Sequence, residues 1–200
     1  FNGPRRVLVL GASSGFGLAS RIALTFGAGA DSVGVSFERG PSDKGLGSAG
    51  WYNNIWFRQA AEQEGRVAVN LIGDAFSDAM RQQAIDTIRQ QLGQVDLVIY
   101  SLASGIRVLP DGRQVRSALK TTGQLFSGWG LDLEQDKLVQ QSLAPATPEE
   151  IRDTVTVMGG EDWQLWMQAL QQADCLAPGA RTVAYSYIGP ESTYPLYRDG

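Results

Sequence analysis

An α/β fold is what this sequence predicts: a doubly wound parallel sheet with an inserted helical lid region. Three observations predict it. Val7 to Leu10 are four consecutive apolar residues, as a strand buried on both faces of a parallel sheet requires. Glycines at 11, 15 and 17 follow at once and lead into a helix-compatible run, Leu18 to Leu24. Strand-like and helix-like segments then alternate as far as Ser101, the pattern of a sheet covered by helices on both sides.

The elements are expected in this order. Val33 to Phe37 reads as the second strand, Pro41 to Gly50 as a glycine- and serine-rich loop, and Asn54 to Glu64 as a helix. Val67 to Ile72 is the third strand. Ser77 to Leu92 is an amphipathic helix with Ser77 as its N-cap, and Val95 to Ser101 is the fourth strand. Four strands with three crossovers make the nucleotide-binding half of a Rossmann sheet, residues 1–104. A long excursion and return occupies 105–180, with Arg107, Arg113, Arg116 and Lys120 scattered near its start. Within it Thr147 and Glu150 form a capping box opening a helix over Glu149 to Val157. Asp162 to Ala173 is a second helix, whose stripe of Trp163, Trp166, Met167 and Leu170 reads as core. Val183 to Ile188 is a last strand, so that 181–200 holds a strand and the start of a tyrosine-bearing segment. The three stretches read as one domain, incomplete at its C-terminal end.

Composition excludes several function classes. The chain has 200 residues, 43% of them apolar, enough for a sizeable core. It contains no histidine and one cysteine, Cys175, so neither a zinc cluster, a His-based triad nor an internal disulfide can be built. No metal site is expected. Seventeen basic against twenty-one acidic residues, with no dense Lys/Arg run, argue against nucleic acid. No stretch approaches the roughly 18 apolar residues of a membrane span, and no signal peptide is visible, so a cytoplasmic protein without membrane contact is expected. The start at Phe1 without methionine and the stop at Gly200 read as the ends of a fragment.

The glycines point to a dinucleotide. Gly11 permits a tight turn, Gly15 lets backbone N–H groups approach phosphate oxygens, and Gly17 lets the helix pack close to the strand, with the helix N-terminus facing the anion. Such sites lie at the carboxyl ends of parallel strands. The second strand ends in Phe37 and Glu38, and an acidic residue there accepts hydrogen bonds from both adenine-ribose hydroxyls while repelling the 2′-phosphate of NADP. NADH is therefore favoured, with Arg39 as the counterweight because a guanidinium binds phosphate. After the third strand come Gly73, Asp74 and Ala75, where Asp74 either accepts from the adenine amino group or caps a helix. After the fourth come Leu102 and Ala103, the latter small enough for a ribose to lie against the backbone.

Tyr185, Tyr187, Tyr194 and Tyr197 fall within thirteen residues. A phenol with a pKa of about 10 is a poor acid unless a nearby cation stabilises the phenolate, so reductases of this fold pair a tyrosine with a lysine. Lys44, Lys120 and Lys137 all precede the tyrosines, and no YxxxK pair exists. The glycine spacing GxxxGxG resembles the short-chain dehydrogenases, yet SLAS at Ser101 to Ser104 stands where they usually carry NNAG.

These motifs resemble one family closely, the NADH-dependent trans-2-enoyl-CoA reductases, also called V-type enoyl-acyl-carrier-protein reductases. The resemblance rests on RVLVLGASSGFGLASRIA, GWYN at Gly50 to Asn53, NLIGDAFSD at Asn70 to Asp78 and GQVDLVIYSLAS at Gly93 to Ser104. It continues in VRSALK at Val115 to Lys120, DTVTVMGGEDW at Asp153 to Trp163 and VAYSYIG at Val183 to Gly189. It implies NADH as cofactor, the thioester of CoA or acyl carrier protein as partner, and reduction of its 2,3 double bond in fatty acid synthesis by a monomer. It also implies that Gly11, Ala12, Ser13, Ser14, Gly15 and Phe16 hold the pyrophosphate, and that Phe37 and Glu38 hold the adenosine ribose. Asp74 and Ala75 would hold the adenine, and Leu102 and Ala103 the nicotinamide ribose. Tyr187 would contact the acyl substrate, and Tyr197 would be the proton donor, its partner lysine lying beyond Gly200. As it stands the chain is then expected to be inactive. The basic residues of the excursion read either as solvated surface or as contacts to the phosphates of CoA or to an acidic carrier protein. Two alternatives remain, a non-catalytic NADH-binding homologue and a short-chain carbonyl reductase.

Overall fold

The computed structural model describes residues 3–187 and 189–194. They divide into two compact units, one made of the chain up to Ala103 together with Asp162–Tyr185, the other of Ser104–Glu161 with the described residues from Ser186 on. The sequence-based boundaries at 104/105 and 180/181 differ from this division, because the helix that follows the excursion packs back onto the first unit.

The first unit is a five-stranded parallel sheet. Its strands are β1 (Arg6–Leu10), β2 (Asp31–Ser36), β3 (Ala68–Ile72), β4 (Val95–Tyr100) and, last in the chain, β9 (Leu176–Ala184), in the order β3-β2-β1-β4-β9. The apolar run of β1 is buried on both faces, as four consecutive apolar residues require. Leu8 and Leu10 join Val33, Val35, Val98 and Tyr100 in a core completed by α3 (Asp78–Gln91) and α5 (Glu161–Gln172). Val7 and Val9 turn the other way, to Leu97, Ile99 and Ala30, with Leu24 packed against them. Each such side chain contributes about 1.5–3 kcal/mol by leaving water.

Helix α1 (Gly15–Ile22) starts three residues before the expected Leu18 and runs into a π-helical turn at Ala23–Gly27. Helix α2 (Ala49–Gln63) starts five residues before the expected Asn54, so the loop after β2 is shorter than the glycine and serine content suggests. Ser77 caps α3 as expected, its Oγ accepting from the Met80 N–H at 3.2 Å. The aromatic stripe of α5 is core: Trp166 and Leu170 are fully buried, and the Trp166 indole N–H donates to the Ala75 carbonyl at 3.0 Å. Strand β9 begins seven residues before the expected Val183 and ends before the tyrosines. The Pro178-Gly179 pair disguises it, since a register shift opposite Val95 and Leu97 accommodates both residues.

The excursion is not wholly helical. Its first half is two antiparallel hairpins, β5 (Ile106–Val108) with β6 (Gln114–Arg116), and β7 (Phe126–Asp132) with β8 (Lys137–Leu143). Their turns use Asx chemistry: Asp111 accepts from the Arg113 N–H, Asp132 accepts from the Glu134 and Gln135 N–H groups, and Gly112 takes φ +83°. Helix α4 (Pro148–Met158) follows, with the full capping box at Thr147 and Glu150. Among the described residues no helix is long and apolar enough to cross a membrane, and no group of three or more His, Cys, Asp or Glu stands ready to hold a metal.

A buried ion pair ties α5 to α3. Asp162, 3% exposed, accepts from the Arg81 guanidinium at 2.9 Å and from the Tyr100 hydroxyl at 3.0 Å. Asp162→Leu removes the buried carboxylate and leaves the Arg81 guanidinium only the exposed Asp78, at 2.5 Å; it is expected to cost about 3 kcal/mol in urea unfolding, and a loss below about 1 kcal/mol would contradict the pairing. Cys175 is fully buried beside α5 and burial pushes its thiol pKa up. Because the thiolate is the reactive form, a disulfide reagent is expected to modify native Cys175 at least about a hundredfold more slowly than the urea-unfolded chain. Equal rates would show that this core is open.

Candidate cofactor-binding site

The strand order reverses at β1, with β2 and β3 to one side and β4 and β9 to the other, so a crevice opens where β1 and β4 end. The glycine turn fills its floor. Gly11 sits at φ +85°, its N–H donating to the Val35 carbonyl at 2.9 Å, and a Cβ there would collide with the Ser101 carbonyl. A Cβ on Gly17 would collide with the Gly11 carbonyl. Gly15, at φ +53°, faces open space. The three glycines therefore have the separate steric reasons read from their spacing: a tight turn, an approach left clear, and a helix pressed against the turn.

The first turn of α1 is left open as well. Ser14 stands at the N-cap with an extended backbone, but its side chain makes no capping hydrogen bond, and Ser14, Gly15 and Phe16 are all exposed. Unspent N–H groups at a helix N-terminus favour an anion. Ala12 and Ser13 are buried and anchor the turn, Ala12 N–H to the Val35 carbonyl at 3.0 Å and the Ser13 carbonyl to Asn53 Nδ2 at 2.9 Å. A buried cation lies on the same floor. Arg21, 1% exposed, donates to Ser32 Oγ, Asn70 Oδ1 and the Val69 carbonyl, and its guanidinium lies 4.2 Å from the centre of the Phe57 ring. Burial pushes its pKa down to about 9, which leaves it charged at neutral pH. A Cβ on Gly34 would strike both this guanidinium and the Ala12 methyl, so that glycine makes room for the charge beneath the turn.

At the end of β2, Phe37 is exposed and Glu38 half-buried. The Glu38 carboxylate accepts hydrogen bonds from Ser13 Oγ on one oxygen and from Ser48 Oγ on the other. At the end of β3, Asp74 shapes a turn, its Oδ1 accepting from the Phe76 N–H at 2.9 Å, while the cap of α3 is Ser77. The capping alternative for Asp74 thus belongs to Ser77. Ala75 is buried under that turn. After β4, the Ser101 N–H donates to the Leu10 carbonyl at 2.8 Å, and Leu102, half-buried, and Ala103, exposed, follow. Tyr185 closes the first unit, its hydroxyl 2.6 Å from Ser20 Oγ and its ring against Phe16. Tyr187 is 62% exposed and belongs to the second unit, and Tyr197 lies outside the described residues.

Of the basic residues of the excursion, three are engaged. Arg113 pairs with Asp111 at 2.7 Å, which holds the Asp111 carboxyl below its usual range. Lys120 pairs with Glu150 at 2.6 Å and lowers that carboxyl likewise. Arg107 is buried against the Thr156 carbonyl and Glu161. These contacts favour a structural role for them.

Sequence reasoning missed Ser48, Asn53 and Arg21. Ser48 looked like loop, GWYN carried a likeness without a task, and Arg21 sat in a stretch read only for its glycines.

Residues 45–200 match the family model described as the trans-2-enoyl-CoA reductase catalytic region, and residues 1–43 match the NAD(P)H binding domain of trans-2-enoyl-CoA reductase. An enoyl-(acyl-carrier-protein) reductase (NADH) 2 of Vibrio vulnificus (strain YJ016) is 57% identical over 202 residues, covering 99% of this chain and 50% of that protein. The crystal structure of Clostridium acetobutulicum trans-2-enoyl-CoA reductase in complex with NAD is 46% identical with a TM-score of 0.95, over 100% of this chain and 52% of that one. The Treponema denticola trans-2-enoyl-CoA reductase in complex with NAD is 48% identical with a TM-score of 0.95, over 100% and 50%. The chain spans about half the length of the curated relatives it matches. With both family models matched in sequence order across the glycine turn, the sheet and the excursion, the chain belongs to the trans-2-enoyl-CoA reductase family.

Proposed function

We propose that this chain binds NADH and takes part in the NADH-dependent reduction of the 2,3 double bond of trans-2-enoyl thioesters, carried on CoA or acyl carrier protein, in fatty acid synthesis. The observation that carries the reading is the Glu38 carboxylate fixed by Ser13 and Ser48 at the end of β2, beside an open glycine turn. A turn with φ values that only glycine adopts readily, an uncapped helix start and a buried guanidinium below fit a pyrophosphate. The fixed carboxylate fits a ribose diol.

In this reading Gly11 to Phe16 hold the pyrophosphate through backbone N–H groups, and Phe37 and Glu38 hold the adenosine ribose. Asp74 and Ala75 border the adenine, and Leu102 and Ala103 the nicotinamide ribose. When bound, NADH would supply a hydride for the β-carbon of the enoyl thioester, and a proton taken up at the α-carbon would complete the reduction. The chain's own task is to stabilise the negative charge that would gather on the thioester oxygen. Tyr197 donates its phenol proton in hydrogen bonding to that oxygen, with Tyr187 against the acyl group. A donor so placed is worth about 3 kcal/mol, or roughly a hundredfold in rate. A monomer in the cytoplasm fits the same reading.

Two measurements test it. Glu38→Ala is expected to weaken NADH about tenfold in a fluorescence titration, because both ribose hydroxyls lose their acceptor; unchanged affinity would remove Glu38 from the site. Loss of NADH absorbance with crotonyl-CoA, measured on the longest natural chain that contains this sequence, is expected to slow about a hundredfold in Tyr197→Phe. NADH binding without any turnover of the unsubstituted chain would overturn the reductase reading and favour a non-catalytic NADH binder.

A further inference from the structure

The GWYN motif has no task in the proposed function, yet its contacts and those of Ser48 just before it converge on one carboxylate. Ser48 occupies the N-cap position of α2 with φ −65° and ψ 154°, where a serine normally gives its oxygen to an N–H of the first helical turn. It makes no such bond. Its hydroxyl instead donates to Glu38, and its Oγ accepts from the Arg39 N–H at 3.1 Å while its own N–H donates to the Arg39 carbonyl at 2.9 Å. Gly50, in the first turn of α2, is the place where the carboxylate rests: a Cβ there would strike Glu38 at its carboxyl carbon and both oxygens.

The rest of the motif fixes what surrounds that contact. The Trp51 indole lies against Gly40, the Tyr52 hydroxyl accepts from the Gly47 N–H at 3.2 Å, and Asn53 donates to the carbonyl of Ser13 at 2.9 Å. Ser13 is the second hydroxyl on Glu38. Both serines that hold the carboxylate are therefore tied to the start of α2, Ser48 as its N-cap residue and Ser13 through its backbone carbonyl.

We propose that Ser48 and Gly50 are positioning residues that set the preference for NADH over NADPH, an inference that rests on the NADH reading above. Each carboxylate oxygen accepts two hydrogen bonds. With one taken by a serine, each keeps a lone-pair direction for one ribose hydroxyl. A 2′-phosphate brings negative charge to the same spot and is repelled, but only while the carboxylate stays there. A glutamate freed from Ser48, or expelled by a methyl at position 50, swings toward solvent. Arg39, the next residue, exposed, is then the nearest charge to a 2′-phosphate along the chain, and a guanidinium suits it. Discrimination thus depends on how rigidly Glu38 is held as well as on its charge.

The test is to measure dissociation constants for NADH and NADPH by fluorescence titration, with no substrate present, for the unsubstituted chain, Ser48→Ala, Gly50→Ala and Ser48→Thr. The ratio of the NADPH to the NADH constant is expected to fall about tenfold in Ser48→Ala and at least as far in Gly50→Ala. Ser48→Thr keeps the hydroxyl and should keep the ratio. Alanine suits the helical backbone at position 50, so that variant retains its fold. An unchanged ratio in both alanine variants, or an equal fall in Ser48→Thr, overturns the inference while leaving NADH binding intact. An unsubstituted chain that binds neither nucleotide overturns the NADH reading and this inference with it.

Discussion

Three backbones meet at Gly11, and the crevice exists because they do. The end of β1, the residue after β4 and the start of α1 approach one another so closely that a single methyl at Gly11 would displace the Ser101 carbonyl, and one at Gly17 would displace the carbonyl of Gly11. The approach is held from the third side by Val35, whose carbonyl accepts from both Gly11 and Ala12. Positive φ at Gly11 and Gly15 then aims the chain off the sheet and into α1 without the penalty of about 1–2 kcal/mol per residue that a side chain would incur. The doubly wound order makes this contact a candidate site, since β2 and β3 leave to one side of β1 and β4 to the other.

Charge is arranged along that crevice in two signs. The uncapped start of α1 and the buried Arg21 guanidinium make the glycine turn positive, and the carboxylate of Glu38 makes the end of β2 negative. A dinucleotide has this same polarity, an anionic pyrophosphate beside a ribose that donates hydrogen bonds. Burying Arg21 at 1% exposure without a carboxylate is costly, and the structure offsets the cost with three neutral acceptors and the face of Phe57. The same polar chain continues from Asn70 to the Asn54 carbonyl and from Asn54 to Ser36 Oγ. It thereby links α1, β3, α2 and the end of β2, the elements whose relative placement decides where Glu38 stands.

What the sequence made legible is what short-range chemistry controls. Four apolar residues in a row, glycines at fixed offsets, a serine cap at Ser77 and a reciprocal box at Thr147 and Glu150 are all settled within a few residues, and each is found where it was read. Features settled by distant partners were not legible. The two hairpins form by strand pairing across a polar stretch that lacks strong strand periodicity, even though the Asx bonds of their turns are local. Strand β9 carries Pro178 and Gly179, which read as a break and are taken up by the register shift opposite Val95 and Leu97. Of the candidate site, the glycine turn and Glu38 were visible. The hydroxyl that holds Glu38 was not, because Ser48 reads as loop until the fold brings it to a residue ten positions away.

Helix starts make the same division in energetic form. At α3 and α4, Ser77 and Thr147 give their oxygens to their own helices, a contribution of about 0.5–2 kcal/mol each. At α1 and α2 the N-cap positions also carry serines, and neither caps. Ser14 leaves the first turn of α1 open toward the crevice, and Ser48 turns its hydroxyl to Glu38. Local stability is thus given up at α1 and α2, which border the glycine turn, and kept at α3 and α4. Where a local rule fails at residues that otherwise satisfy it, the failure marks a place where another requirement outweighs helix stability. In this chain both failures fall on the same crevice, one beside the positive end and one beside the negative.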